Sequence, residues 1–111
     1  MSYNVITTPD FRKFFKQLYK KYPSLKDDLS KLIDKLENDY LIGTPLGNNL
    51  FKVRFAIESK NKGKSSGARV IYFYLSVDKE IYLIHIFDKS EIENVSKNAL
   101  LKILKNAGLL K

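Results

Sequence analysis

The spacing of apolar residues changes once along this chain, and that change limits what it can fold into. Up to Tyr40 apolar positions recur at helical spacing; from Leu50 they recur every second residue or run unbroken, the pattern of strands. Phe11, Phe14, Phe15, Leu18, Tyr19 and Tyr22 form one stripe opposite Arg12, Lys13, Lys16 and Lys20. Thr8 stands as N-cap, Pro9 takes the first helical position and Asp10 lies beside the positive end of the dipole. Pro23 ends that helix. Ser24, with Asp27 three residues on, opens a second as a capping box, and its stripe is Leu25, Leu29, Leu32, Ile33, Leu36 and Tyr40. The short link predicts an antiparallel helical hairpin, and Tyr3 to Thr7 ahead of it reads as a strand.

Gly43 to Asn49 reads as punctuation. Beyond it Phe51, Val53, Phe55 and Ile57 face one way and Lys52 and Arg54 the other, a strand covered on one side. Ser59 to Gly67 holds no apolar residue and reads as a loop. Ala68 to Val77 and Ile81 to Phe87 are β-branched and aromatic runs joined across Asp78-Lys79-Glu80, apolar enough for the middle of a sheet. A last helix follows Ser96, with Val95, Ala99, Leu100, Ile103, Leu104 and Ala107 as its apolar positions, and stops at Gly108. The expected order is β-α-α-β-β-β-α: one α+β domain over residues 1–111, with an N-terminal strand and helical hairpin, a twisted, mainly antiparallel sheet and a C-terminal helix. At 111 residues a second core would not fit.

The charge is lopsided. Lys and Arg number 20 against 12 Asp and Glu, a formal +8. Between Lys52 and Arg69 six basic residues face only Glu58. Such a field attracts polyanions, although lysine-rich surfaces also serve solubility. No cysteine is present, and a single His cannot build a zinc centre. No cofactor or metal is therefore expected. No secretory signal and no membrane-length apolar run are visible, so a cytoplasmic protein without membrane contact is expected.

Gly63-Lys64-Ser65 has the ending of a phosphate-binding loop, but Glu58 holds the first glycine position and a strand follows where a helix is required. What remains is a set of cations. Lys52 and Arg54 share a strand face; Arg69 opens the next strand across the Lys60-Lys62-Lys64 loop, and Lys89 ends the fourth. If those strands are neighbours, the four converge on one end of the sheet. Guanidinium and ammonium groups there suit a phosphodiester and the charge that builds on its oxygens during transfer. A solvated face balanced by Asp88, Glu91 or a partner's acids is the bland alternative. His85, on a strand expected to be internal, is a candidate base, more often a structural residue in such a place. Tyr72, Tyr74 and Tyr82 suit base stacking but also ordinary strand packing.

Phe11-Arg12-Lys13-Phe14-Phe15-Lys16, Lys20 to Leu25 and Gly43-Thr44-Pro45-Leu46-Gly47 resemble the N-terminal half of the RelE/ParE toxin superfamily. Lys52-Val53-Arg54, Gly67 to Tyr72, Ile81-Tyr82-Leu83 and Phe87 to Glu91 resemble its HigB-like branch. The resemblance implies the toxin of a type II toxin–antitoxin system, an endoribonuclease that cuts mRNA in the ribosomal A site by attack of a 2′-OH on its own 3′ phosphate. It implies a cognate antitoxin of the helix-turn-helix DNA-binding kind. It places Arg69 at the scissile phosphate, Lys52 and Arg54 as the basic pair on the preceding strand, and Lys89 near the leaving 5′ oxygen; Lys60, Lys62 and Lys64 become RNA contacts. RelE carries a catalytic tyrosine where Val95 falls here, which opens the acid/base role to Glu91, His85 or Asp88. A ParE-like gyrase poison and a non-catalytic RNA-binding module are the rival readings.

Overall fold

The structure, a computed structural model, describes residues 2–60, 67–90 and 95–110. In chain order it comprises β1 (Asn4–Thr7), α1 (Pro9–Tyr19), α2 (Leu25–Asn38), β2 (Thr44–Gly47), β3 (Leu50–Phe55), a 3-10 turn (Glu58–Lys60), β4 (Ala68–Leu75), β5 (Glu80–Asp88) and α3 (Lys97–Asn106). The strands make one sheet in the order β1-β5-β4-β3-β2. β1 runs parallel to β5 and the other pairs are antiparallel. The expected α+β fold is present, with residues 50–55, 68–75 and 80–88 side by side.

Alternation assigns the two faces. Phe51, Val53, Phe55, Val70, Tyr72, Ile81, Leu83 and Ile86 pack with Phe11, Leu18, Leu25, Leu29, Leu32 and Leu36 from the helical pair. Leu50, Ile71, Phe73, Ile84 and Phe87 pack with Leu100, Ile103 and Leu104 of α3. A register shift opposite Ile71/Tyr72 carries the alternation of β5 across from one face to the other. β4 is thus sandwiched between helices on both sides and explains its nearly unbroken apolar sequence.

Three local expectations need correction. Thr44 to Gly47 is a strand, paired with β3 through Thr44↔Lys52 and Pro45↔Phe51, where punctuation alone was expected. Proline is tolerated because β2 is the edge strand, and left-handed Asn48 (φ 57) and Asn49 (φ 61) close the hairpin. α1 stops at Tyr19, short of Pro23, and leaves Tyr19 41% exposed. Ser24 makes no capping bond. Its hydroxyl donates to Asp28 (2.7 Å) and accepts from the Ser59 amide, while the Ser59 hydroxyl accepts from the Ser24 amide (both 2.8 Å). Asp28 also accepts from the Glu58 amide at 3.0 Å. The capping chemistry goes instead into fastening α2 to the segment after β3.

Thr8 fulfils its reading and adds to it. Its hydroxyl accepts from the Phe11 amide (3.2 Å) and donates to the Leu83 carbonyl (2.9 Å), tying the helix start to β5. The Leu83 carbonyl also accepts from the Thr8 amide at 3.2 Å, so Thr8→Ala strands only the Phe11 amide and should cost about 1–2 kcal/mol, the loss of a buried cap. Urea unfolding should show the midpoint falling at constant slope, with Thr8→Ser retaining most of the stability.

Candidate functional site

The sheet register brings the basic residues of three strands together. Arg54 lies directly opposite Arg69, and Arg69 opposite Phe87; Lys52 lies opposite Ile71, one step along. Lys89 follows β5, its amide donating to the Gly67 carbonyl at 3.1 Å, so the ladder extends one residue past Asp88. Alternation then puts Lys89 on the face of Phe87 and Arg69. Lys52, Arg54, Arg69 and Lys89 therefore gather at one end of the face whose other end α3 covers. Gly67 sits at that end because a Cβ there would lie 2.2 Å from the Phe55 carbonyl oxygen.

The members differ in access. Arg54 is exposed, Lys52 is half-buried and Arg69 is only 6% exposed. One Arg69 Nη donates to the carbonyl of Ala68 at 3.2 Å. Burial, and then the like charge of Arg54, lowers the Arg69 pKa, yet a guanidinium stays protonated at any physiological pH. Like charges directly opposite across two strands are destabilising. An anion bridging the pair removes that penalty.

Lys60 is placed differently from the RNA contact expected of it. Its ammonium forms an ion pair with Asp88 at 2.8 Å, the two side chains only 10% and 1% exposed, and also bonds Ser90 Oγ at 3.1 Å. Asp88 further accepts from Tyr22 Oη (2.6 Å), from the Ser90 amide (3.0 Å) and from the Ser90 hydroxyl (2.8 Å). Burial alone would raise the Asp88 pKa. Hydrogen bonds from Lys60, Tyr22 and Ser90 outweigh it and hold the carboxyl well below the usual range. The four hydrogen bonds make Asp88 an anchor for Lys60, Tyr22 and Ser90. Lys62, Lys64 and Glu91 lie outside the described residues.

His85 is buried under aromatic rings. It stacks on Phe14 with centroids 4.0 Å apart, meets Phe87 edge-on at 5.7 Å, and sets Nδ1 3.2 Å from the Ile86 carbonyl. Burial chiefly pushes its pKa down, so the ring is neutral at pH 7. Tyr72 is fully buried, donates to the Tyr40 carbonyl (2.7 Å) and accepts from the Gly43 amide (2.9 Å). Tyr74 stacks on Tyr40 at 3.8 Å, and Tyr82 donates to Glu80 at 2.7 Å. These contacts are structural. Val95 packs with the α3 core.

Sequence reasoning passed over Tyr22, taken as one more stripe residue, and Lys31 and Lys35. With Lys52 and Arg54 these two lysines line a groove of about 690 Å³ between α2 and β3. The lysines at i, i+4 were the available signal, but a charged helix face is usually just solvated.

The Asp88 anchor generates a pH prediction. Its folded pKa is depressed, so its contribution to stability is fully present above the unfolded value of about 3.9, declines below it and is lost only as pH falls through the depressed folded value. Asp88→Asn should cost about 3 kcal/mol at pH 7 by stranding the buried Lys60 ammonium. Denaturation at stepped pH should show the gap between wild type and variant constant from pH 7 to about 5 and narrowing progressively below the unfolded value; a gap that stays constant down to about pH 2 contradicts the assignment.

Residues 10–111 match the family model described as the RelE toxin of the RelE/RelB toxin–antitoxin system. The fold is similar to that of the isolated E. coli RelE toxin, with a TM-score of 0.62 at 14% identity, over 95% of this chain and 99% of that one. A mutant of E. coli RelE in the free state gives 0.60 at 14%, over 97% and 96%. The RelBE2 toxin–antitoxin complex from Mycobacterium tuberculosis gives 0.60 at 17%, over 79% and 99%. At such identities the solved structures speak for the fold alone, whereas the family match spans nearly the whole sequence: the chain belongs to the RelE toxin family.

Proposed function

We propose that the protein is the toxin of a type II toxin–antitoxin pair and cuts mRNA on the ribosome. Family membership supplies the class. The observation that carries the chemistry is the Arg54–Arg69 cross-strand pair, flanked by Lys52 and Lys89 on one sheet face. Arg54, the exposed member, takes the RNA phosphate first, and Arg69 behind it adds charge against the oxygens as phosphorus becomes five-coordinate. Attack by the ribose 2′-OH on its own 3′ phosphate breaks the bond to the 5′ oxygen and leaves a 2′,3′-cyclic phosphate. In this reading Lys89 stabilises that departing oxygen and helps to protonate it, as the family resemblance implies, and the proton of the 2′-OH passes to solvent. Asp88 is bonded to Lys60 and His85 is enclosed by Phe14 and Phe87, which turns both away from the role of general base in this reading. An antitoxin partner is proposed from the RelE/RelB family description. Its helix-turn-helix character and the HigB-like assignment are part of the same proposal, resting on sequence resemblance. Among the described residues no helix is long and apolar enough to cross a membrane.

Expression in bacteria followed by transcript-end mapping tests the reading. Cuts should fall within translated coding regions and disappear where translation is blocked; trapped gyrase–DNA complexes with intact mRNA would overturn it. In single-turnover assays on ribosomes, Arg69→Ala should slow cleavage about 10²–10³-fold, the scale of a lost oxyanion donor. Arg69→Lys should recover only part, keeping the charge and losing the fork. Wild-type rates in a folded Arg69→Ala protein would remove Arg69 from the site.

A further inference from the structure

The groove between α2 and β3 lies beside the cationic end of the sheet. One bank is α2 with Lys31 and Lys35 and the other is the edge of β3 from Lys52 to Phe55; Leu32, Ile42, Val53 and Phe55 contribute its apolar lining. Two carboxylates are present. Asp28 is buried and already accepts from Ser24 and the Glu58 amide, which leaves exposed Glu58 as the acid beside Lys31 and Lys35, with Lys52 and Arg54 rooted in the bordering strand. We infer that this groove is a second RNA subsite, holding the single strand that continues from the scissile phosphate by its backbone phosphates.

Two observations select RNA over a peptide. The groove runs along the edge of the strand whose other face carries Lys52 and Arg54, so a strand whose phosphate meets Arg54 enters it round that edge without leaving the protein surface. The edge of β3 is also too short to hold an added strand. β2 covers β3 only as far as Lys52. The Phe55 carbonyl points toward Gly67 and that of Lys52 toward Gly43, so alternation leaves Arg54 alone with main-chain groups facing outward among Val53, Arg54 and Phe55. One residue's hydrogen bonds do not make a ladder. A cationic groove with apolar lining is instead what sequence-tolerant single-strand binding requires.

The inference rests on the RNA-cleaving reading, but its test does not depend on cleavage. A fluorescent oligouridylate of about 12 nucleotides, within the usual single-strand site sizes, is titrated with protein at several salt concentrations. Removing two phosphate contacts in Lys31→Gln/Lys35→Gln should lower the slope of log K against log salt by about 1.4, at roughly 0.7 per contact. The Lys31→Arg/Lys35→Arg variant should keep the wild-type slope, and both should keep the wild-type urea midpoint because the two side chains are exposed. An unchanged slope, no oligouridylate binding by wild type, or equal displacement by oligo-glutamate in wild type and Gln variant would overturn the subsite. A reduced slope in a protein that never cuts mRNA would leave the groove standing and remove the nuclease reading.

Discussion

Everything in this fold answers to β4, a strand whose first six residues are buried. A strand that carries apolar residues on both sides needs a layer on each. The α1–α2 pair supplies one, driven by two stripes that can be buried together only against a sheet. α3 supplies the other, but ten residues of helix span about 15 Å and eight residues of strand about 27 Å. The helix therefore seals the Leu50, Ile71, Phe73 and Ile84 part of the face, and the other end is left for Arg54, Arg69 and Lys52. Arg69 belongs to the same strand as Val70 and Tyr72, so its position is set by the core itself.

That end of the sheet is held from behind. Asp88 lies opposite Ala68, next to Arg69 in the register and just ahead of Lys89. Its bonds to Tyr22, Lys60 and Ser90 join the turn between α1 and α2, the segment after β3 and the exit of β5. Three stretches of chain far apart in sequence thus meet on one carboxylate beside the cationic face. Such a fully bonded buried charge adds little net stability over an apolar substitute, but breaking it is costly. Its value here is the fixed placement of the strand ends that present Arg54, Arg69 and Lys89.

Much of the architecture was legible because period and caps are local signals. Thr8, Ser96 and Gly108 mark helix ends in the structure as they do in the sequence. β2 was not legible, since Gly43-Thr44-Pro45 argues against a strand and only the edge of β3 rescues it. The Ser24–Asp28–Ser59 fastening was hidden for the same reason: it joins residues 35 apart. At the site, strand alternation was enough to put Lys52 and Arg54 on one face, but only the register shows Arg54 opposite Arg69. Lys60 illustrates the limit most clearly. In sequence it is one lysine of a basic loop, and nothing nearby announces Asp88, 28 residues on, as its partner.

The central claim is that a like-charged arginine pair is kept at the sheet end because an RNA phosphate needs it. A pair kept for function against its own repulsion should trade stability for activity. Arg54→Thr tests this, because Thr suits an exposed strand position and removes one of the two facing charges. Relief of a cross-strand repulsion of roughly 0.2–1 kcal/mol should raise the thermal midpoint by about 1–6 °C for a domain of this size, while mRNA cleavage on ribosomes collapses. A variant that melts lower than wild type, or one that cuts at the wild-type rate, would contradict the account.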